Sequence, residues 1–507
     1  MYGRPMEGVE KWLLTVALAT ASFMVVLDTS IANVSIPGIS GELGVSPSQG
    51  TWVITSFAVS NAIAVPLTGW LARRVGEVRL FVLSMLLFSI ASWGCGLSTS
   101  MPMLITFRVL QGAVAGPMMP LSQTLLMGIH PAEKRGMALS IWALTTLVAP
   151  VMGPILGGWI TDNLRWPWIF YINVPIGIVC MYLIWMRLRD RESKIVKLPI
   201  DAVGLALLAI GVGSLQIMLD KGGELDWFNS NTIVFLAIAA GLCLSLLIAW
   251  ELTDEHPVVD LSLFRNRNFT ASAIAVSLAY VVFFGTVVLL PLWLQTQMSY
   301  TPTWAGLVMA PTGLLALVIT PIIGKNMNRL DPRKLASFGF AIFAITAFMR
   351  AHFEPGADFV SLALPQFIQG IAVACFFVPL TSIALSGLPV DKMASASGLY
   401  NFLRILAGGV GTSVATTIWE RREALHHAQL TEQITAYSPA TTQYLAQLPA
   451  GDPTAALLAI DRTIGSQAYA MATVDMSYAA GWVFLLLIPV LWLARPPFGS
   501  SAPASAE

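Results

Sequence analysis

The stretch LDTSIANVSIP, residues 27–37, closes a long apolar run that begins near Trp12 and carries no charge before Asp28. A run of about 20 apolar residues is long enough to cross a bilayer as an α-helix. A carboxylate inside such a span costs roughly 2.5–3.5 kcal/mol on insertion scales, and ionisable residues in these positions usually serve a function. Asp28 is therefore the first candidate for a functional residue, as an acid that holds a proton in one state and not in another.

The composition is that of an integral membrane protein. Of the 507 residues, 56% are hydrophobic and only 11% are charged, whereas soluble domains are about 25% charged. The 28 basic and 28 acidic residues balance, which gives no indication of a nucleic-acid partner. The four cysteines lie in apolar runs without the spacing of a disulfide framework or a metal site, so we expect no bound metal.

Apolar runs predict an all-α polytopic membrane protein with fourteen transmembrane helices. An even number of spans places both termini on one side, and most of the 28 lysines and arginines fall in the segments on that side. The opposite face keeps few, among them Arg165 and Arg350. The positive-inside rule therefore predicts cytoplasmic termini in the cell's inner (plasma) membrane. The predicted spans lie near residues 12–36, 51–71, 79–98, 102–127, 137–161, 167–187, 200–219, 231–250, 270–293, 303–324, 335–351, 359–386, 397–419 and 476–494.

Spans 1–6 and 9–14 can be aligned as an internal repeat. Gln111-Gly112 recurs as Gln369-Gly370, and Gly153 falls on Gly411. Parallel repeats of six spans are typical of major facilitator transporters, whose substrate sites lie between the halves near mid-membrane. The predicted organisation is a six-helix bundle over 1–190, a linker with two extra spans over 191–265, a second six-helix bundle over 266–498 and a disordered tail over 499–507.

One long connection, residues 420–475, interrupts the pattern of short ones on the predicted outer face. Asp452 followed by Pro453 is typical of a helix N-cap and first turn, so we expect a helix from about Pro453 towards the last span. The sequence leaves open whether this connection is only solvated or serves as an exposed docking element.

Residues 69–79, GWLARRVGEVR, resemble the signature loop between spans 2 and 3 of the major facilitator superfamily. Glycines permit a tight turn, and basic side chains can pair with acids or helix C-termini while the halves rock. An arginine stands where the family has an acid, and the late basic residue is displaced. Simple anchoring by positive charge is the alternative. The predicted gating residues are Gly69, Arg73, Arg74, Gly76 and Arg79.

Arg108 lies in span 4, about 9 Å below the outer face at 1.5 Å per residue. Asp28 lies about 24 Å from the cytoplasmic end of span 1, in a hydrocarbon core of about 30 Å. The two side chains are therefore expected at similar depth. A cationic partner favours the ionised acid, whereas burial favours the protonated one, and a proton switch needs that balance. A purely structural ion pair, or an arginine that reaches to the membrane surface, is the alternative.

Residues 149–158, APVMGPILGG, resemble the antiporter signature that exporters of this superfamily carry in span 5. Small residues let helices approach closely, and a proline kinks the helix and frees a carbonyl. Ala149 replaces the first glycine of the family pattern. Close helix packing without a transport role is the alternative. The motif residues are Gly153, Pro154, Gly157 and Gly158.

Residues 165–177, RWPWIFYINVPIG, together with residues 27–37 and 52–56, resemble the fourteen-span drug:proton antiporter family, in particular its EmrB-like multidrug exporters. The resemblance implies export of lipophilic, often cationic or uncoupling compounds in exchange for protons, with no cofactor beyond the proton gradient. It implies that Asp28 is the proton-linked acid and Arg108 its partner. In Gram-negative members a periplasmic adaptor and an outer-membrane channel complete the export route.

Polar residues on otherwise apolar spans are candidates for the lining of a substrate cavity, although each could instead bond to a neighbouring helix. A related carrier dedicated to one physiological substrate, such as a siderophore, lipid or metabolite, is the alternative function. The chain has no Gly-x-x-x-x-Gly-Lys-Ser/Thr loop and no intramembrane cluster of histidines and acids, so neither ATP-driven transport nor an enzyme is expected. The cavity candidates are Asn33, Asn61, Gln123, Tyr280, Gln295, Asn401 and Arg404, the last with a structural role equally open.

Overall fold

The computed structural model describes residues 8–130, 135–193, 195, 201–254, 259–326, 330–388, 393–432, 434–435, 443, 453–496 and 498. Helices occupy each of the fourteen predicted spans within these residues. Besides short 3₁₀ turns they are α1 (Gly8–Leu43), α2 (Pro47–Gly50), α3 (Trp52–Ala64), α4 (Thr68–Val75), α5 (Glu77–Gly96), α6 (Met101–Ala115), α7 (Met118–Ile129), α8 (Arg135–Asn163), α9 (Trp168–Tyr171), α10 (Asn173–Leu188), α11 (Ala202–Lys221), α12 (Asn231–Glu251), α13 (Arg267–Thr296), α14 (Pro302–Asn326), α15 (Pro332–Arg350), α16 (Phe359–Leu385), α17 (Met393–Glu432) and α18 (Pro453–Leu491).

Prolines divide two of the predicted spans. Span 2 consists of α3 and α4, which are separated at Pro66 and bent by 61°. Span 4 consists of α6 and α7, with Gly116-Pro117 between them. Proline lacks the backbone N–H of the helical ladder, and its ring clashes with the preceding turn, so each helix is interrupted there.

Eleven helices in the described part of the chain are long and apolar enough to cross a membrane, or twelve with the bent pair that forms span 2. The other two predicted spans are α8, whose side chains are described only in part, and α15, a 19-residue helix with basic residues near both ends. The twelve spans and these two helices together give the fourteen-helix architecture.

Helix packing repeats between the two halves. In the first half α1 packs against α8, α3 against α6, and α5 against α10. In the second half α13 packs against α17, α14 against α16, and α15 against α18. Helices at equivalent positions of the internal repeat thus have equivalent neighbours, which gives two six-helix bundles of the same design.

The bundles meet along two seams that are equivalent in the repeat, α8 with α14 and α17 with α3. The inserted helices α11 and α12 pair with each other, and α11 also packs against both α3 and α17. The inserted hairpin therefore lies along the second seam. Across the interface, Gln295 Nε2 on α13 donates to the Val34 carbonyl on α1 at 2.9 Å, and the Thr303 N–H donates to Asp162 Oδ2 at 2.9 Å. Both bonds lie towards the ends of the spans that are predicted to face outwards.

Residues 420–475 differ from the predicted long connection. The helix expected from about Pro453 is confirmed as α18, but α17 also continues to Glu432, so much of this stretch is helical. The two extensions pack together: Trp419 lies 4.5 Å from Tyr469 between ring centroids, and its Nε1 donates to Thr473 Oγ1 at 2.9 Å. Hydropathy identifies only the part of a helix that lies within hydrocarbon, so it did not predict the polar extension of α17. Asp452, the expected N-cap, lies outside the described residues.

Arg350, which the charge count assigned to the outer face, is instead buried inside the bundle. It is the last residue of α15, is 3% exposed, and donates to Gln369 Oε1 on α16. A buried amide acceptor accounts for an arginine inside the bundle, since a buried cation needs hydrogen-bond partners. The predicted tail, residues 499–507, lies outside the described part of the chain.

Candidate functional site

The Asp28 carboxylate lies inside the first bundle, where it forms an ion pair with Arg108. Asp28 on α1 is 1% exposed and Arg108 on α6 is fully buried, and Arg108 Nη1 donates to Asp28 Oδ2. The two side chains expected at similar depth are thus in contact. Each charge compensates the other in a site where a lone ion costs several kcal/mol.

Neutral side chains complete the coordination of the carboxylate. Gln111 Nε2 donates to Asp28 Oδ1 at 3.0 Å, and Asn173 Nδ2 donates to the same oxygen at 2.7 Å. Gln111 Nε2 also donates to Ser92 Oγ at 2.7 Å. The network therefore connects α1 with α5, α6 and α10.

Arg108 is held by hydrogen bonds and aromatic rings of its own bundle, while its Nη2 has no hydrogen-bond partner among the described residues. Its Nε donates to the Val53 carbonyl on α3 at 2.7 Å, and its Nη1 donates to Gln111 Oε1 at 2.7 Å. The guanidinium carbon lies 4.4 Å from the ring centroid of Phe57 and 5.5 Å from that of Phe170. Such faces stabilise a desolvated cation. The side chain is enclosed and does not reach the membrane surface.

The ion pair depends on the charge of Asp28. With Asp28 ionised, the ion pair and two amide donors hold the carboxylate. With Asp28 protonated, Arg108 is a buried cation without a counter-charge, which costs several kcal/mol and favours another arrangement of the helices. Within the described ranges, no group of three or more His, Cys, Asp or Glu side chains is placed to hold a metal ion.

The antiporter-like stretch of α8 packs one face against α1, directly after Asp28. A Cβ added to Gly153 would lie 2.4 Å from Ser30 Oγ, and one added to Gly157 would lie 2.6 Å from the Ile31 carbonyl oxygen. Only glycine permits this approach of the two helices. The contact joins the helix that carries the acid to the helix that forms a seam.

The same stretch packs its other face against α14 of the second bundle. A Cβ on Gly158 would lie 2.4 Å from the Pro302 carbonyl oxygen. Reciprocally, a Cβ on Gly306 would lie 2.1 Å from the Pro154 carbonyl oxygen. Pro154 and Gly158 therefore lie where the first bundle meets the second, whereas Gly153 and Gly157 face α1 within the first bundle.

The loop between spans 2 and 3 is held by an acid from a distant part of the chain. Glu192 accepts hydrogen bonds from the backbone N–H of Val78 at 3.0 Å and of Arg79 at 2.9 Å, which caps the first turn of α5. Arg79 Nε lies 3.9 Å from the same carboxylate. Gly76 has φ of +100°, and a Cβ there would lie 2.3 Å from Glu192 Cδ, so the turn requires glycine.

The other residues of this loop make local contacts on α4. Arg73 Nε donates to the Gly69 carbonyl at 3.3 Å, and the Arg74 guanidinium lies 5.1 Å from the Trp70 ring centroid. A Cβ on Gly69 would meet nothing within 4 Å. The displaced basic residue Arg79, rather than Arg73, forms the ion pair with Glu192.

Two of the seven cavity candidates donate hydrogen bonds to backbone carbonyls, and for three more the structure gives the degree of burial. Gln295 bonds across the interface to Val34, whereas Asn401 Nδ2 donates to the Ser397 carbonyl of its own helix at 2.9 Å. The remaining three are Asn33 and Asn61, which are buried, and Gln123, which is half-buried.

The structure brings the other two candidates, Tyr280 and Arg404, together. The Arg404 guanidinium lies 5.5 Å from the Tyr280 ring centroid. Tyr280 also packs against Phe284, Phe376 and Phe377, with centroid separations of 5.4, 5.8 and 5.5 Å. A half-buried cation thus adjoins a cluster of aromatic faces in the second bundle.

Sequence reasoning did not assign roles to Gln111, Asn173, Ser92 or Glu192. Gln111 follows Arg108 by three residues and so shares its helix face, a signal that could have identified it. Asn173 and Ser92 are neutral polar residues on apolar spans, which by themselves do not distinguish a network from a simple helix contact. Glu192 lies in a linker, residues 187–197, in which five basic residues outnumber two acids.

Known proteins are similar to this chain over most of its length. A family model described as Major Facilitator Superfamily matches residues 18–412. The chain is 54% identical over 501 residues to the multidrug export protein EmrB of Haemophilus influenzae and 53% identical over 500 residues to the multidrug export protein EmrB of Escherichia coli (strain K12). It is 50% identical over 499 residues to the fatty acid resistance protein FarB of Neisseria gonorrhoeae. Each of these alignments covers 98% of both chains.

Solved structures at low identity share the fold. A bacterial homolog of the human lysosomal transporter Spinster has a TM-score of 0.63 at 16% identity, covering 97% of this chain and 100% of that one. A peptide transporter POT in complex with sulfate has a TM-score of 0.63 at 14% identity, covering 97% and 98%. The protein is a multi-pass membrane transporter and not an enzyme, and it belongs to the Major Facilitator Superfamily, within the fourteen-span drug:proton antiporter family that includes the EmrB-like exporters.

Proposed function

We propose that the protein is a proton-coupled antiporter that exports lipophilic compounds across the inner membrane by alternating access, with Asp28 as the proton-linked acid. The observation that carries the proposal is the enclosed Asp28–Arg108 pair, whose two protonation states require different helix arrangements. Identity of 50–54% to proteins named for multidrug export and fatty acid resistance supports an export function.

Asp28 is coupled to the seam between the bundles through α8. Ser30 and Ile31, in the same turn of α1 as Asp28, contact Gly153 and Gly157 on one face of α8. The opposite face of α8 contacts α14. A change in the position of α1 on protonation is therefore transmitted to the interface within two helix contacts, since close-packed helices cannot move independently.

The proton gradient sets the direction of the cycle. In the outward-open state Asp28 takes a proton from the outer solution, Arg108 loses its counter-charge, and substrate leaves. In the inward-open state the carboxyl releases the proton to the cytoplasm and restores the ion pair. Each elementary charge that moves down 100 mV contributes about 2.3 kcal/mol.

The Arg404–Tyr280 cluster favours lipophilic weak acids among the substrates. Arg404 forms no ion pair with a described residue, and aromatic rings surround its neighbour Tyr280. A cation beside aromatic faces suits an apolar molecule that carries a carboxylate or another delocalised anion. We therefore expect fatty acids and acidic uncouplers to be exported, with export of lipophilic cations less dependent on Arg404.

Substrate-induced proton movement in everted vesicles tests the function. Lipophilic cations, weak-acid uncouplers and long-chain fatty acids are added separately after energisation. Because weak acids also carry protons across the membrane by themselves, the response is measured in excess of that in vesicles with Asp28→Asn. Excess movement with several compounds supports a broad exporter, and excess movement with one class alone supports the dedicated carrier. Arg404→Gln should reduce the response to weak acids several-fold more than the response to cations. No response to any compound from folded wild-type protein would contradict the proposal.

A periplasmic adaptor is the partner that we propose for the extensions of α17 and α18. Residues 420–432 add about 20 Å of helix beyond the predicted end of span 13, on the face opposite the proposed cytoplasmic termini. A photo-crosslinker at the exposed Ala424 should capture the adaptor, whereas one at the exposed Val9 near the N-terminus should not. Equal capture at both positions, or none at Ala424, would contradict this assignment.

A further inference from the structure

A second carboxylate lies among the helices, at the seam between α3 and α17. Asp220 is the penultimate residue of α11, and its Oδ2 accepts a hydrogen bond from Thr55 Oγ1 on α3 at 3.1 Å. Its Oδ1 accepts one from Gln216 Nε2, a turn earlier on α11, also at 3.1 Å. Gln216 Nε2 donates in addition to Ser413 Oγ on α17. The Asp220–Gln216 pair therefore contacts both bundles at once.

The position of this pair makes it sensitive to movement of the bundles. Helices α3 and α17 belong to different halves, whereas α11 belongs to the inserted hairpin. A Cβ on Gly409 of α17 would lie 3.6 Å from Ala58 Cβ on α3 and 3.7 Å from Gln216 Oε1, so the three helices meet closely here. When the outer ends of the halves separate, the bond to Thr55 or the bond to Ser413 must break.

The charge environment of Asp220 is unlike that of Asp28. Asp220 forms no ion pair with a described residue, and its hydrogen-bond donors are a hydroxyl and an amide. Helix α3 carries no charged residue, and the nearby Glu224 is another acid. The remaining charges on the elements packed around it are Lys221 on α11, Glu251 at the opposite end of α12, and Arg404, Glu420, Arg421, Arg422, Glu423 and Glu432 on α17, of which Arg421 lies over the Trp227 ring. Helix α17 also carries two titratable histidines, His426 and His427, which contact Asp475 and Asp461 on α18.

The side chain of Gln216 provides an unused acceptor for a proton on Asp220. Gln216 is 3% exposed, and its Oε1 has no hydrogen-bond partner among the residues that the structure describes. A buried acceptor without a donor costs about 1–3 kcal/mol. A protonated Asp220 carries an O–H that can donate to this oxygen, which the ionised form cannot do.

We propose that Asp220 is a second proton-binding carboxyl of the transport cycle, on the inserted hairpin and outside both bundles. Ionised, it accepts the bonds from Thr55 and Gln216 and keeps the seam closed. When it binds a proton from the outer solution, it releases Thr55, donates to Gln216 Oε1 and lets the seam open. The proton leaves to water when the carboxylate reforms. This inference rests on the proton-coupled exchange proposed above and adds a second acid to it.

The test measures opening of the outer seam against pH, without substrate and without a gradient. Spin labels at Gly41 and Ala424, both exposed and in different halves, report the separation by pulsed electron resonance in lipid nanodiscs. The variants are Asp220→Asn, Asp220→Glu and, as the matched control, Asp226→Asn, which removes an exposed acid six residues away. All variants are first checked for folding by thermal unfolding.

We expect the open population of wild type and Asp226→Asn to rise about fivefold between about pH 7.5 and pH 5.5, because a buried carboxyl without a counter-charge favours the protonated form. Asp220→Asn should be open at both pH values and change less than about twofold, whereas Asp220→Glu should restore a pH dependence. A wild-type pH profile in Asp220→Asn would overturn the proposal, and so would an equally flat profile in Asp226→Asn. Because this readout needs no transport, a failure of wild-type protein to move protons with substrate would count against the proposed function and not against Asp220.

Discussion

Substitution of Gly158 by alanine should open the seam between α8 and α14. The added Cβ would lie 2.4 Å from the Pro302 carbonyl oxygen and 2.6 Å from Thr303 Cα, so α8 and α14 must separate by about 1 Å to reach an ordinary contact of 3.4 Å. Overpacking of this kind costs about 1–3 kcal/mol. The gain in helix propensity from alanine applies to the open and the closed state alike, so it does not offset this cost. The closed seam should therefore lose about 1–3 kcal/mol relative to the open one, and about 1.4 kcal/mol already changes its population tenfold.

The same substitution at Gly306, on the other side of the seam, should have a larger effect than at Gly158. A Cβ on Gly306 would lie 2.1 Å from the Pro154 carbonyl oxygen, which is closer than the contact at Gly158, so Gly306→Ala should open the seam more. Gly213→Ala on α11 is the control, because its Cβ would meet nothing within 4 Å.

The same labels at Gly41 and Ala424 measure the separation of the two halves in these variants. We expect a longer distance component that increases from Gly213→Ala to Gly158→Ala to Gly306→Ala, with export reduced in the same order. Distance distributions for Gly158→Ala and Gly306→Ala that match the Gly213→Ala control would refute the claim that these glycines hold the halves together.

Three further predictions concern the ends of the spans. Glu192→Gln weakens the cap of α5, so we expect the free energy of unfolding to fall by about 0.5–2 kcal/mol in thermal or chemical denaturation. Asp475→Asn weakens the bond to His426 Nε2, now 2.6 Å long, and should make the extensions of α17 and α18 more susceptible to limited proteolysis at neutral pH. The hydrogen bond from Arg333 lowers the pKa of Asp331 below its ordinary value of 3.8. Its contribution to stability is therefore fully present above that value and lost as the pH falls through the lowered pKa, and a comparison of Asp331→Asn with wild type at about pH 7 and about pH 3 should show the larger difference at the higher pH.

The span positions and the acid–base pair could be predicted from the sequence because hydrocarbon imposes strict demands. A helix must be apolar over the thickness of the membrane, and a charge such as Asp28 or Arg108 inside it is rare enough to stand out. Gly153 and Gly157 were recognised because close helix contacts require small residues. In each case one local physical requirement restricts the residue type.

The remaining features depend on which helix faces which. Asn173 and Ser92 are ordinary polar residues until the packing of α10 and α5 places them beside Asp28. Glu192 acts on a turn more than a hundred residues earlier in the chain, and Arg350 is buried because Gln369 on a neighbouring helix accepts its hydrogen bond. Such pairings are set by tertiary structure, and one sequence carries little trace of them.

The role of Asp28 is tested most directly by separating proton coupling from substrate binding in reconstituted protein. Asp28→Asn leaves Arg108 without its counter-charge, at a cost of about 3–5 kcal/mol, so Asp28→Asn/Arg108→Gln is measured beside it to restore the balance of charge. Both variants are assayed for substrate counterflow and for uphill export driven by a pH gradient. We predict that counterflow persists in at least the double variant, while uphill export and substrate-induced proton movement are abolished in both. Uphill export by either variant would contradict the assignment of Asp28 as the coupling acid.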